Sequence, residues 1–147
     1  YGSNVGYPAS ACFLGVTSRH TRADVMRAVY EGCVFSHNYH LERLYKFRPK
    51  PEVIRLTGGA ARSPVWVQMF ADIFQVPVEI PDGSELGALG AAVAAAVACG
   101  IYPSYEAAVA AMTRVARRHE PDASRSDVYA TRYARYLKAV QALKAFF

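Results

Sequence analysis

A short apolar run, two adjacent glycines and a second apolar stretch follow one another directly between positions 53 and 74. Val53-Ile54-Arg55-Leu56 predicts a buried strand. Residues 57–64 (Thr57-Gly58-Gly59-Ala60-Ala61-Arg62-Ser63-Pro64) break it, and residues 65–74 resume with apolar side chains at helical spacing. A second short strand is expected at 75–80, with Pro77 at its beginning or edge. Strands that alternate with helices imply parallel pairing through helical crossovers, hence an α/β fold. Two glycines at a strand's carboxyl end let a ligand approach the backbone with no Cβ in the way. The helix that follows points free N–H groups and its positive dipole end into the same crevice, which suits a nucleotide. No other segment of the chain looks like chemistry.

The flanking sequence fills out this framework. Thr21 predicts a helix start, with Asp24 three residues on as a short capping box. The helix runs to about residue 45, with Val25, Val29, Tyr30, Cys33, Val34, Phe35, Leu41 and Leu44 recurring at three- and four-residue intervals. Gly32 inside it costs about 1 kcal/mol relative to alanine. It is read either as close packing against another backbone or as a ligand lying across the helix. Pro64 suits the first turn of the helix at 64–74, and Trp66 reads as core. Residues 85–99 form a helix of very small residues closed by Gly100, expected to press tightly on a sheet. Further helices are expected at 105–115 and 126–146, while residues 11–16 are a short strand or a turn edge. Two short strands are too few for an independent sheet, so the missing strands are expected upstream of Tyr1.

Composition narrows the function classes. The 147 residues suit one domain, and the formal net charge is +5. The excess sits around Arg114, Arg117, Arg118 and His119 and around Arg125, Arg132, Arg135 and Lys138, and reads as solvated helix faces, with a phosphate or nucleic-acid patch as the other reading. No aromatic-interleaved motif supports single-stranded nucleic acid. Cys12, Cys33 and Cys99 are far apart, without CxxC or zinc spacing. They read as reduced thiols packed as small apolar groups, which fits a cytoplasmic protein. His37 and His40 share a helix face without an evident third ligand, so no metal site is assigned. The most apolar segment, at 86–98, is shorter than the ~20 residues a bilayer span needs. The chain opens without Met, in a stretch rich in Gly, Ser, Asn and Pro that resembles neither a signal peptide nor a domain start, and it is expected to be a piece of a longer protein.

Three segments resemble the FGGY carbohydrate kinases. Residues 21–32, with Arg27-Ala28 and Glu31-Gly32, look like that family's helix. Residues 56–66, followed by Ala71-Asp72, look like its adenosine motif, and Glu85-Leu86-Gly87-Ala88-Leu89-Gly90-Ala91-Ala92 looks like its closing helix. Tyr1-Gly2-Ser3-Asn4-Val5, together with Thr21-Arg22-Ala23 and Tyr30-Glu31-Gly32, is most similar to the L-xylulose kinase branch. The resemblance implies a partial ribonuclease-H-like (actin-like ATPase) domain with extra C-terminal helices. Residues 1–147 would form the C-terminal, nucleotide-binding portion of the second kinase domain, without the N-terminal domain and the first strands of this one. It further implies ATP or ADP with Mg²⁺, a small sugar such as a pentulose as phosphoryl acceptor, and a kinase reaction in the intact enzyme.

The resemblance also implies roles for individual residues. Gly58 and Gly59 would bring backbone against the adenosine and its phosphates, and Ala60 would keep the pocket floor low. Ser63 would sit by adenine or ribose, and Ser36 would line the adenine pocket. Ser36 and Ser63 also read as an ordinary helix-surface serine and a helix cap. No catalytic base is assigned: Asp24 and Asp72 read as helix residues and Asp82 as a turn residue, and the family's base lies in its first domain. The fragment alone is therefore expected to be inactive. Unpartnered strand edges and apolar faces would favour a homodimer. Two other readings stand beside this one: a non-catalytic nucleotide- or phosphate-binding module, and a structural interaction domain whose glycines only permit tight packing.

Overall fold

The computed structural model describes residues 11–143. The expectations for residues 1–10 and for the end of the last helix lie outside them. The chain forms two compact units: 1–50, 72–75 and 121–147 in the first, and 51–71 and 76–120 in the second.

The first unit is built on two long helices, α1 (Arg22–Leu44) and α5 (Ser126–Leu143). The capping box is present as expected. Thr21 Oγ1 accepts from the Asp24 amide at 3.3 Å, and Asp24 Oδ2 accepts from the Thr21 amide at 2.7 Å. The buried residues of α1, Glu31, Val34 and Phe35, lie on one face at three- and four-residue spacing. Phe35 packs against Tyr133 and Tyr136 of α5, with ring centroids 5.6 Å away in each case. A buried carboxylate needs charged partners. Glu31 Oε1 accepts from Arg27 Nε at 2.7 Å and from Arg132 Nη1 at 2.6 Å, and Arg27 Nη2 donates to the Tyr129 hydroxyl at 3.2 Å. At the other end of the pair, the Tyr133 hydroxyl donates to Glu42 Oε2 at 2.8 Å. Burial and the Glu42 carboxylate together push the Tyr133 phenol above its ordinary pKa.

The second unit holds a three-stranded sheet, β1 (Ile54–Arg55), β2 (Val78–Pro81) and β3 (Val115–His119), in the order β1-β2-β3. It also holds the 3₁₀ turn Gly59–Arg62, the greater part of α2 (Pro64–Phe74), α3 (Leu86–Ala98) and α4 (Tyr105–Met112). β1 and β2 are parallel, joined through α2, as the alternation of elements implied. The α/β class holds. β1 is shorter than the expected strand, since only Ile54 and Arg55 pair with β2.

β3 corrects the sequence reading. Arg117, Arg118 and His119 were expected on a helix face, yet they form a strand antiparallel to β2, with Val78 opposite His119, Glu79 opposite Arg118 and Ile80 opposite Arg117. The helix expected at 105–115 ends at Met112. Cross-strand pairing decides the matter: Glu79 accepts from Arg55 Nε at 3.3 Å on one side and from Arg118 Nη1 at 2.9 Å on the other.

Other expectations also give way. Cys12, Cys33 and Cys99 are exposed, so the thiols do not pack as core, and residues 11–16 are exposed without the strand that is one of their two readings. On α3 only Val93 and Ala96 are buried, and a Cβ placed on Gly32, Gly87 or Gly90 would meet no atom within 4 Å. Close backbone packing is therefore not the reason for these glycines among the described residues. α3 packs on α4. It is closed by bonds from Gly100 to the Val97 carbonyl at 3.0 Å and from Ile101 to the Ala96 carbonyl at 2.9 Å, the pattern of a Schellman motif.

Candidate functional site

In the second unit, the parallel strands β1 and β2 deliver their carboxyl ends to one side of the sheet. Ligands of open α/β sheets bind in the crevice at that side. The loop after β1 turns at Gly58, whose φ of 84° and ψ of −160° lie in a region essentially reserved for glycine. The Gly58 carbonyl accepts from the Ala61 amide and the Ala60 carbonyl from the Ser63 amide, both at 3.2 Å. Ser63 Oγ then accepts from the Trp66 amide at 3.3 Å, which occupies one of the free N–H groups at the start of α2. Pro64 begins that helix, where a missing N–H leaves no bond unmade.

A cavity of about 520 Å³ opens against this turn. Gly58, Gly59 and Arg62 line it from the β1 side, Asp82 and Gly83 from the loop after β2, and Arg117 from β3. Its lining thus combines two guanidinium groups, one carboxylate and the exposed backbone of a double glycine. A Cβ added at Gly59 would meet no atom within 4 Å. The fold does not require glycine there for packing, and the missing side chain leaves backbone open to the cavity. Arg117 Nη2 donates to the Ala61 carbonyl at 2.6 Å. Two residues along the same strand, His119 Nδ1 lies 3.0 Å from Gln68 Oε1 of α2. Alternate residues of β3 therefore hold the turn and its helix on one face of the sheet.

Of the residues singled out from sequence, Gly58 and Gly59 share this cavity. Ala60 and Ser63 are half-buried in the same turn without lining it, and Ser63 serves as the helix cap. Ser36 belongs to the first unit. It is half-buried on α1 and lines a different cavity of about 540 Å³, with Gly32, Cys33, Asp24, His20 and Tyr136 among its neighbours.

The three aspartates separate clearly. Asp24 caps α1, and Asp72 is 1 % exposed and accepts from the Asp122 amide at 2.9 Å. Asp82 lines the glycine-turn cavity. Sequence reasoning did not place Asp82 or Arg117 at the glycine turn, and gave Arg62 no role there. The signal for Asp82 was its place just after the second strand of a βαβ unit, whose carboxyl ends face the same crevice. Among the described residues, no group of three or more His, Cys, Asp or Glu side chains is placed to hold a metal ion. Mg²⁺ is typically bound through one or two carboxylates and the phosphates of a substrate, and Asp82 is the one acidic side chain lining this cavity among the described residues.

Comparison with known proteins agrees with this architecture. The sequence profile described as "FGGY family of carbohydrate kinases, C-terminal domain" matches residues 7–99. The chain is 39 % identical over 146 residues to the L-xylulose/3-keto-L-gulonate kinase of Escherichia coli (strain K12), covering 99 % of this chain and 29 % of that protein. It is 41 % identical over 146 residues to the probable L-xylulose kinase of Pasteurella multocida (strain Pm70), with the same two shares covered. Among solved structures, the ligand-bound xylulose kinase from Lactobacillus acidophilus superposes with a TM-score of 0.88 at 26 % identity, over 97 % of this chain and 29 % of that one. The xylulose kinase from Rhodospirillum rubrum gives a TM-score of 0.83 at 29 % identity, over 94 % and 28 %. The chain thus spans less than a third of the length of these relatives. With its α/β fold and a profile match over 93 of 147 residues, the chain belongs to the FGGY family of carbohydrate kinases.

Proposed function

We propose that this chain is the nucleotide-binding C-terminal portion of the second domain of an ATP-dependent sugar kinase, which transfers the γ-phosphate of ATP to a hydroxyl of a small sugar. The pentuloses L-xylulose and xylulose are the favoured acceptors, because the names of relatives 33–41 % identical to the chain specify them. One observation carries the nucleotide reading: the Gly58-Gly59 turn ends β1, precedes the N-terminus of α2 and opens into a cavity that also holds Arg62 and Arg117. Backbone N–H groups, a helix dipole and guanidinium groups all favour an anionic ligand.

Phosphoryl transfer rests on positioning and charge stabilisation. In this proposal Gly58 and Gly59 admit the nucleotide against the backbone, and Arg62 offsets phosphate charge. Ala60 shapes the turn, and Ser63 fixes the start of α2. Asp82, which lines the same cavity, would be the protein carboxylate available to Mg²⁺, which when bound would supply charge neutralisation at the phosphates. The base that accepts the sugar's proton belongs to the N-terminal domain, so this chain alone does not turn over sugar.

The setting in the cell is the cytoplasm. Among the described residues, no helix is long and apolar enough to cross a membrane. Self-association into a homodimer is part of the proposal, supported by the exposed apolar side chains Phe13, Leu14, Val65 and Ile101. Sedimentation that finds a cooperatively melting monomer overturns the dimer.

The activity is tested with the intact kinase polypeptide that contains this chain, by following ADP release with L-xylulose, D-xylulose, gluconate and glycerol. Turnover with a xylulose isomer is expected. Absence of ATP-dependent phosphorylation of every sugar, by folded protein, overturns the proposal.

A further inference from the structure

Adjacent arginines of β3 do different work. Arg118 lies opposite Glu79 and is satisfied by carboxylates, donating to Glu79 Oε1 at 2.9 Å and to Glu120 Oε1 at 2.6 Å. Arg117 lies opposite Ile80, on the other face of the strand, and forms no ion pair among the described residues. Its bond goes to a backbone oxygen, the carbonyl of Ala61 at 2.6 Å. That is a short, charge-assisted hydrogen bond, and it falls on the segment that most needs support. The bonds within the turn itself are both 3.2 Å and span only three residues, a geometry weaker than that of an α-helix. Gly58 adds backbone freedom at the point where the turn begins. Arg117 also lines the cavity that Gly58 and Gly59 open.

We propose that Arg117 is a positioning residue for nucleotide binding: its guanidinium ties the glycine turn to β3 and so presets the backbone that receives the ligand. The inference rests on reading this cavity as the nucleotide site. Preorganisation of this kind raises affinity by removing the cost of ordering the loop when the ligand arrives. It assigns a role to a strand that carries no recognisable nucleotide motif. It also explains why two consecutive arginines are not equivalent.

The test compares wild type with Arg117→Met, Arg117→Lys and Arg118→Met in two measurements: amide hydrogen exchange at Ala61 and Ser63, whose N–H groups close the turn, and ADP affinity by calorimetry. In Arg117→Met, exchange at both amides rises and ADP affinity falls about tenfold, the loss expected for one charge-assisted hydrogen bond. Arg117→Lys, which keeps the charge and a donor, recovers part of both. Arg118→Met breaks the ladder to Glu79 and leaves both near wild type. Unchanged exchange in Arg117→Met, or faster exchange with unchanged ADP affinity, overturns the role of Arg117 while the nucleotide site stands. A folded wild type without ADP affinity overturns the nucleotide site and this role together.

Discussion

The carboxylate of Asp72, at the end of α2, accepts a hydrogen bond from the backbone amide of Asp122 at 2.9 Å and is only 1 % exposed. Arg125 Nη1 approaches its other oxygen at 3.5 Å. Asp72 thereby anchors the chain just before α5, and its charge is committed to structure.

Replacing Asp72 by Ala strands the Asp122 amide and lowers unfolding free energy by about 1–3 kcal/mol. Asp72→Asn keeps an oxygen for that amide and loses clearly less. Urea unfolding of the two variants checks the order, and equal losses would contradict the assignment of the amide bond as the main contribution.

Gly58 has a positive φ that a side chain cannot adopt without strain. Gly58→Ala is expected to cost about 1–3 kcal/mol of stability, although the added methyl meets no atom within 4 Å. Gly59→Ala, at a position without positive φ, is expected to cost much less. Thermal melts of both variants measure the difference.

At the start of α1, Asp24 accepts from both the hydroxyl and the amide of Thr21, each at 2.7 Å. These bonds hold its carboxyl below the ordinary value of 3.8. A depressed carboxylate pKa stabilises the fold above the unfolded value, and that contribution is lost as pH falls through the folded one. The urea midpoint of wild type is therefore expected to exceed that of Asp24→Asn near neutral pH, and the gap to close as pH falls below about 4. A gap that stays constant down to about pH 2 would mean that the capping carboxylate contributes nothing through its charge.

What the sequence made legible was local. Thr21 and Asp24 set the start of α1, Pro64 set the start of α2, and the glycine pair marked the turn between β1 and α2. β3 escaped because Val115-Ala116-Arg117-Arg118-His119 carries no apolar alternation, and His119 is its least exposed residue. Backbone pairing to β2 and the Arg118–Glu79 ion pair hold it in place, and neither is visible in a local window. The same register brings Arg117 beside Ala61, 56 positions away, so the cationic side of the cavity was hidden with the strand. Cys33 was misplaced for a related reason: it falls off the stripe formed by Glu31, Val34 and Phe35, and that stripe becomes apparent only once α5 covers it.

The most direct test of the central claim is ADP binding to this chain by calorimetry, beside Gly59→Asp. The substituted Cβ has room in the fold, so the variant keeps its structure while a carboxylate stands in the cavity against the phosphates. The account expects wild type to bind ADP and Gly59→Asp to bind at least about tenfold more weakly at an unchanged melting temperature. Equal affinity in the two proteins, or no binding to a folded wild-type chain, would contradict it.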